Sequence, residues 1–295
     1  METMRDDETE ALRDKAVQID EELRTMPREV LNVLDPVKLS GSDLMRFKCY
    51  PGISCFNSCC SHIEIILTPY DLLRLRKRLG LDAEEFLNRF AEPTFLAKGD
   101  LPVPLIRMDP ESGKCPFVTD AGCSVYSDRP VACRYYPLGL ALMHRQATPG
   151  DETFYFLVRE PFCQGHAEAK SWTVDAWRAD QGSDGYDEVN QEWMTFILKR
   201  RTAGDAAKTP LPMAEMVYMA QTDPDQMRRF VFGSTFRERF QVDAEEEKAI
   251  LEDDVAMIRF AFRWLRSVMF GDREVTMRPQ AMDILKKRRA GNPEG

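Results

Sequence analysis

The spacing of apolar residues predicts a helix near residue 70. In residues 68–80, TPYDLLRLRKRLG, helical spacing places Leu72, Leu75 and Leu79 on one face. The segment starts with a Thr cap, a Pro at the first helical position and an early acid, and it stops at a Gly. These residues are typical of the two ends of a helix, so we expect a helix over 69–79.

A second helix is predicted directly after the first. Asp82 is followed three residues later by Glu85, as in a capping box, and Phe86 and Phe90 supply an apolar face. Near the N-terminus, residues 5–26 have the pattern of a charged amphipathic helix.

From Ser171 onward the pattern is helical throughout. The predicted helices cover about 173–180, 185–201, 212–221, 224–240 and 243–270. In the last of them, six apolar residues follow a period near 3.6: Ile250, Val255, Ile258, Phe262, Leu265 and Met269. We take the methionine and aromatic residues of this half as core.

Alternating segments at 138–144 and 153–159, separated by the turn-rich ATPGDE, predict a β-hairpin. The fold class is therefore α+β and predominantly helical. We expect three parts: an N-terminal helix and connector over 1–41, a cysteine-cluster metal-binding domain with the hairpin over 42–168, and an all-helical region over 169–295.

Composition and charge limit the expected partners and cellular location. The 295 residues carry a formal charge of −9, which argues against nucleic acid and anionic lipid as partners. The N-terminus shows no secretory signal, and no run of 18 apolar residues is present, so we expect no membrane association and a cytoplasmic location. Thiols stay reduced in that compartment, which favours metal binding over disulfides.

Cysteines are the densest chemical signal in the chain. All eight fall within one region, and four of them lie in the twelve residues CYPGISCFNSCC. The candidate metal ligands are Cys49, Cys55, Cys59, Cys60, Cys115, Cys123, Cys133 and Cys163.

Zinc and iron–sulfur clusters both bind deprotonated sulfur, usually four per centre. Eight cysteines allow two such centres, or one centre with unused or reactive thiols. The neighbours Cys59 and Cys60 point in different directions in regular structure, so both bind one ion only if the backbone kinks there. The sulfur ligands alone leave the choice of metal open.

Four other side chains are candidates near the cysteines. His62 and His166 could each replace a thiol as ligand, whereas we take His144, in the predicted hairpin, as structural. Arg129 and Arg134 could donate hydrogen bonds to sulfur or offset thiolate charge. The alternative for Arg129 is an ordinary ion pair with Asp128 or another acid.

Taken together, CYPGISCFNSCC, LTPYDLLRLRKRLGL, EEFL, KCPFV and GCSVYSDRPVACRYYPLG with a later Cys resemble the YkgJ-type cysteine-cluster family. The resemblance covers roughly residues 45–168 and implies a zinc- or iron-chelating domain. The first cysteines are separated by five and three residues, where the short family signature has two and two.

The domain is also similar to that of flagellin lysine N-methylases, which implies an iron–sulfur cluster and S-adenosylmethionine as cofactors and a protein as substrate. No Gly-rich loop typical of nucleotide binding is present. Three hypotheses follow: a cytosolic protein that binds iron–sulfur or zinc through cysteines, a cluster-dependent protein-modifying enzyme, and a non-catalytic zinc-stabilised scaffold. Iron–sulfur is favoured slightly, because eight thiols exceed what one zinc ion needs.

Overall fold

The computed structural model describes residues 37–96, 101–144, 151–203 and 209–282. Small antiparallel sheets occupy the first half of this part of the chain and helices the second, so the predicted α+β, mainly helical class is confirmed. The helix expected over 5–26 lies outside the described residues.

Every strand in the described ranges belongs to a two-stranded antiparallel sheet, in the pairs β1–β8, β2–β3, β4–β5 and β6–β7. The strands are β1 (Leu44–Arg46), β2 (Ala91–Leu96), β3 (Leu101–Ile106), β4 (Val118–Thr119), β5 (Gly122–Cys123), β6 (Leu138–His144), β7 (Asp151–Leu157) and β8 (Ser171–Thr173). The pair β1–β8 joins the start of the cysteine region to the residues just after it.

The α-helices are α1 (Pro69–Leu79), α2 (Ala83–Phe90), α3 (Val131–Tyr135), α4 (Val174–Gln181), α5 (Ser183–Thr202), α6 (Leu211–Thr222), α7 (Pro224–Gly233), α8 (Phe236–Arg239), α9 (Ala244–Glu252) and α10 (Asp254–Phe270). Both predicted starts in the cysteine region are confirmed. Helices α1 and α2 each begin with a complete capping box, and α1 ends at Gly80 with φ +66°.

Two of the predicted long helices are each divided in the structure. The segment predicted over 224–240 breaks between α7 and α8, where Ser234 is extended. The segment predicted over 243–270 breaks at Asp253, whose backbone is extended and whose carboxylate accepts a 2.8 Å hydrogen bond from the backbone N–H of Ala256. The side chain of Asp253 thus caps α10 instead of lying on a continuous helix face.

The predicted hairpin exists, with its second strand two residues earlier than expected. Strand β6 matches the prediction, and its partner β7 begins at Asp151 and ends at Leu157. Leu138 pairs with Leu157, and both are buried beside Leu39, which bridges to Tyr155.

A large helical core fills the C-terminal half, built around Phe196, Phe260 and Phe262. Leu73 of α1 and Leu101 of β3 are buried in this same core, so the cysteine region is anchored to the helices by apolar packing. Ion pairs reinforce the contact, because Asp254 of α10 binds Lys77 of α1 at 2.9 Å.

Two smaller cores lie within the cysteine region. One contains Phe47, Tyr135 and Trp177, and Cys163 packs against it. The other contains Leu72, Phe86 and Phe117, and three cysteines pack against it: Cys115, Cys123 and Cys133. None of the helices in the described ranges is long and apolar enough to cross a membrane.

Candidate metal centre

All eight cysteines line a single cavity of about 670 Å³. Each of them is a free thiol. The cavity therefore brings together Cys49, Cys55, Cys59, Cys60, Cys115, Cys123, Cys133 and Cys163.

The loop from Cys49 to Cys60 wraps one side of the cavity. Asn57 adopts the left-handed conformation, with φ 69°, and its side-chain amide donates a 2.9 Å hydrogen bond to the carbonyl of Thr119. A short 3₁₀ turn, Ser58–Cys60, follows directly. This kink allows the adjacent side chains of Cys59 and Cys60 to reach the same cavity, which regular structure would not.

The second group of cysteines is attached to the first through the backbone. The N–H of Cys115 donates a 2.8 Å hydrogen bond to the carbonyl of Cys60. Cys123 lies in β5, opposite Val118 of β4, and Cys133 lies in the middle of α3. Cys123 and Cys133 are therefore each held by a short element, and Cys115 by its backbone hydrogen bond to Cys60.

Cys163 reaches the cavity after the β6–β7 hairpin. The next residue, Gln164, donates its backbone N–H to the sulfur of Cys55 at 3.2 Å. Within the described residues, the buried hydroxyl of Tyr136 has no hydrogen-bond partner of normal geometry, although it lies near Cys163. Burial raises the pKa of this phenol, and the nearby thiol of Cys163 raises it further. A phenol O–H placed in this way suits a thiolate acceptor.

Most of the thiols are protonated in the absence of a cation. Burial raises the pKa of Cys133, Cys115 and Cys123, and burial together with neighbouring thiols raises the pKa of Cys49 to about 11. Metal binding must therefore displace protons, because only thiolates are ligands.

Cys59 is the exception. A hydrogen bond from Cys60 lowers the pKa of Cys59 to about 7, and the same hydrogen bond raises the pKa of Cys60. The adjacent pair therefore shares one proton, with the negative charge favoured on Cys59. At neutral pH Cys59 is therefore more readily ionised than the five thiols whose pKa is raised, which favours it as an early ligand.

The two arginines differ in their relation to the cavity. Arg129 lines it, and its guanidinium donates to the carbonyl of Tyr126 and to the side chain of Gln181. Arg134 lies outside the lining, and its hydrogen bonds go to the backbone carbonyls of Ser127, Arg129 and Gln181 and to the hydroxyl of Tyr186.

The predicted alternative of an Arg129–Asp128 ion pair is wrong. Asp128 is paired instead with Arg74 of α1, at 2.5 Å. Hydrogen bonds between Arg134 and sulfur are not formed, because all of its bonds within the described part of the chain end on oxygen.

Neither candidate histidine lines the cavity. His62 lies against Gly113, and His166 directs its Nε2 to the carbonyl of Val158 at 3.1 Å. Sulfur is therefore the dominant donor in the lining.

Over the residues that the structure describes, no three Cys, His, Asp or Glu side chains are already grouped to hold a metal ion. Four sulfurs around one zinc ion lie within about 4 Å of one another, since each Zn–S bond is about 2.3 Å long. The thiols thus face a common cavity but are spread around it, and closing them on one ion requires side-chain rotation. The donor set and the unpartnered hydroxyl of Tyr136 both fit a thiolate-bound metal.

Residues 48–164 match the model of a family described as "CxxCxxCC: Putative zinc- or iron-chelating domain". This segment is similar to that cysteine-cluster family. The cysteine-cluster segment contains all eight thiols, and its match confirms the resemblance noted in the sequence. No curated protein and no solved structure matches the chain.

The cavity also uses residues outside the cysteine-cluster segment. Phe47 precedes the segment, whereas Trp172, Trp177 and Gln181 follow it, and all four line the cavity. Sequence reasoning missed these residues, as it missed Tyr136, because no local spacing connects them to the cysteines. For the aromatic residues among them, aromatic character was the one available signal, and it is equally typical of core; for Gln181 no signal was available.

Proposed function

We propose that this chain is a cytosolic metal-binding protein whose clustered cysteines hold an iron–sulfur cluster, with zinc as the alternative metal. The observation that carries the proposal is the convergence of eight free thiols, from sequence positions more than 100 residues apart, on one cavity. Buried free thiols that bind nothing have no need of a shared cavity, whereas metal ligands do.

Iron–sulfur is favoured over a single zinc ion by the spread of the thiols. One zinc ion and one four-iron core each take four thiolates, so the number of cysteines does not decide between them. Thiolates that bind different irons of one core also lie further apart than those around one ion. A cavity of about 670 Å³ accommodates that wider arrangement.

The chain's own residues support such a core in three ways. The backbone N–H of Gln164 donates to the sulfur of Cys55, the hydroxyl of Tyr136 faces Cys163, and Arg129 places a positive charge in the cavity wall. When bound, an iron–sulfur cluster supplies one-electron redox chemistry. The cytosolic location is proposed because reduced thiols persist there.

Anaerobic purification followed by elemental analysis and a visible absorption spectrum tests the proposal. We expect a brown protein that contains iron and acid-labile sulfide. A colourless protein with stoichiometric zinc would refute the iron assignment and leave metal binding intact. A folded protein that retains neither metal after reconstitution would refute both.

A second candidate function is cluster-dependent modification of a protein side chain, with S-adenosylmethionine as a further cofactor. Three exposed apolar side chains line the cavity, namely Ile63, Tyr126 and Phe162, and a protein partner could cover them. The net charge of −9 gives no support to nucleic acid as the partner. Calorimetric titration of S-adenosylmethionine into the metal-loaded chain tests this function, and an absence of binding heat would count against it.

A further inference from the structure

One buried charge in the cavity wall has no acidic partner among the described residues. The side chain of Arg129 is only 7% exposed. Its Nη1 donates to the carbonyl of Tyr126 at 2.6 Å, and its Nη2 donates to Oε1 of Gln181 at 2.5 Å. Both acceptors are neutral, and none of the described carboxylates forms an ion pair with this guanidinium.

A buried cation without a counter-ion is costly. Burial lowers the pKa of Arg129, and the nearby charge of Arg134 lowers it further. The groups near it that can become negative include Tyr126, Cys123 and Cys133. Asp180 also lines the cavity, but its carboxylate accepts a 2.8 Å hydrogen bond from Nε2 of Gln181. Tyr126 offers its ring face, with the guanidinium 3.9 Å from the ring centroid, so the phenol oxygen is not the contact. The thiols of Cys123 and Cys133 are therefore its natural charge partners.

We propose that Arg129 is a positioning residue that supplies a fixed counter-charge to the thiolate-bound metal, and so strengthens metal retention and raises the reduction potential of a bound cluster. The inference rests on the proposed function. Four thiolates around Zn²⁺ or around an oxidised four-iron core leave a net charge of about −2, and one-electron reduction of the core adds another negative charge. A cation in the wall stabilises each of these states, and the reduced state most.

The neighbouring arginines do not share this role. Arg134 is buried, but it lies outside the lining and cross-links backbone carbonyls. Arg74 and Arg129 both contact the short 3₁₀ turn Tyr126–Asp128. The charge of Arg74, however, is balanced by Asp128. Arg74→Gln is therefore a matched control, because it removes a cation near this turn without changing the cavity wall.

Two variants of Arg129 separate charge from shape. Arg129→Gln removes the charge, and Arg129→Lys retains it while losing the planar fork. In the anaerobically reconstituted full chain, we expect Arg129→Gln to lose metal to a competing chelator about tenfold or more readily than the wild type. Its midpoint potential, followed by visible absorption during a redox titration, should be more negative. Arg129→Lys should recover most of both losses, and Arg74→Gln should behave as the wild type does.

A third variant keeps the guanidinium in place. Gln181→Glu converts the neutral acceptor of Nη2 into a carboxylate of nearly the same shape, which balances the charge of Arg129. We expect it to shift the midpoint potential in the same direction as Arg129→Gln. This variant keeps the test decisive if Arg129→Gln fails to fold, which circular dichroism would reveal.

Equal chelator resistance and equal potential in wild type, Arg129→Gln and Gln181→Glu would overturn the inference. So would a loss in Arg129→Lys as large as that in Arg129→Gln, because shape and not charge would then matter. If the protein holds zinc, which has no redox chemistry, the comparison of metal loss to the chelator alone tests the role of Arg129. Failure of the wild type to bind either metal would instead refute the proposed function, so the two failures are distinguishable.

Discussion

The carboxylate of Asp71 accepts a 2.8 Å hydrogen bond from the backbone N–H of Val131, sixty residues later in the chain. Its other oxygen accepts from the backbone N–H of Thr68 at 2.9 Å, which completes the capping box of α1. Val131 begins α3, the helix that carries Cys133. One fully buried carboxylate thus fixes the start of α1 to the start of the helix that brings a thiol to the cavity.

Replacing Asp71 should weaken this junction. In Asp71→Asn, one of the two backbone donors faces an amide nitrogen that cannot accept, and a buried unsatisfied donor costs about 1–3 kcal/mol. We expect a loss of that size in the free energy of unfolding near pH 7, where the carboxylate is ionised, measured in urea, with lower metal content. Asp82→Asn is the control, because Asp82 caps α2 in the same way but is exposed, and Asn is as good a cap. An equal loss in both variants would contradict the special role of Asp71.

Asp71 also predicts a pH dependence. Burial raises its pKa to about 6, and hydrogen bonds from Thr68 and Val131 only partly offset this effect. Because the folded state holds the proton more tightly than the unfolded state, the contribution to stability is complete below about pH 4. It is lost as the pH rises through about 6. The stability difference between wild type and Asp71→Asn should therefore narrow between about pH 4 and pH 7. A difference that widens over this range would show that the carboxyl is ionised throughout.

Asp254 should give stability a pH dependence opposite in sign to that of Asp71. Burial alone would raise its pKa, but hydrogen bonds from Arg228 and Lys77 more than offset this effect and lower it. Its contribution to stability is therefore present above about pH 4 and is lost as the pH falls through the lowered value. We expect Asp254→Asn to cost about 1 kcal/mol at neutral pH and progressively less as the pH falls below about 4, as measured by denaturant unfolding.

The control for Asp254 is another ion pair at the helix surface. Arg259 and Glu188 form a 3.1 Å pair in which the acid is 74% exposed. Glu188→Gln should therefore change the free energy of unfolding by a few tenths of a kcal/mol at most. A loss as large as that of Asp254→Asn would mean that burial does not decide the strength of these pairs.

Gly113 belongs to the short run of antiparallel backbone hydrogen bonds that also joins Cys60 to Cys115. Its carbonyl accepts from the backbone N–H of His62 at 2.8 Å, and a Cβ at this glycine would lie 2.3 Å from the His62 ring. Gly80 has the same φ of +66° but open space around its Cα. We expect Gly113→Ala to lower the melting temperature more than Gly80→Ala, because only the first adds a clash to the backbone strain.

Metal content provides the second measurement for this pair. Gly80→Ala should bind metal as the wild type does, whereas Gly113→Ala should bind less, because His62 follows Cys60 by two residues. Equal melting temperatures would show that the His62 ring moves aside at no cost.

Serine substitution tests whether the metal holds the fold together. Cys133 packs against the core that contains Leu72 and Phe117, whereas Cys49 is exposed. Both Cys133→Ser and Cys49→Ser should lower the metal-to-protein ratio, and Cys133→Ser should also lower the melting temperature more. If Cys133→Ser loses metal but unfolds at the wild-type temperature, the zinc-stabilised scaffold is excluded.

Local signals predicted helix α1 to the residue. Each signal acts within about four residues of its own end of the helix, Thr68 and Pro69 at the start and Gly80 at the end, so none depends on a distant contact. The break at Asp253 was not predicted, because apolar residues such as Ile250 and Ile258 continue at helical spacing across it. Helical period reports which face is buried, and it does not report where the backbone leaves the helix.

The candidate site was likewise predicted only in part. The eight cysteines were predicted from their clustering, and the structure places all of them at one cavity. Tyr136, Trp177 and Gln181 could not be predicted, because contacts between segments far apart in sequence bring them there. The three-residue strands β1 and β8 are likewise too short to show a period, and their pairing depends on residues about 127 positions apart.

The ladder between β1 and β8 decides how much of the chain a laboratory fragment must keep. A fragment trimmed to residues 48–164 would lack both strands. It would also lack Phe47 and Trp177, which pack against each other. Its recombinant form would expose apolar surface and tend to precipitate. A piece made for crystallisation or isotope labelling should therefore begin before Leu44 and continue beyond Gln181.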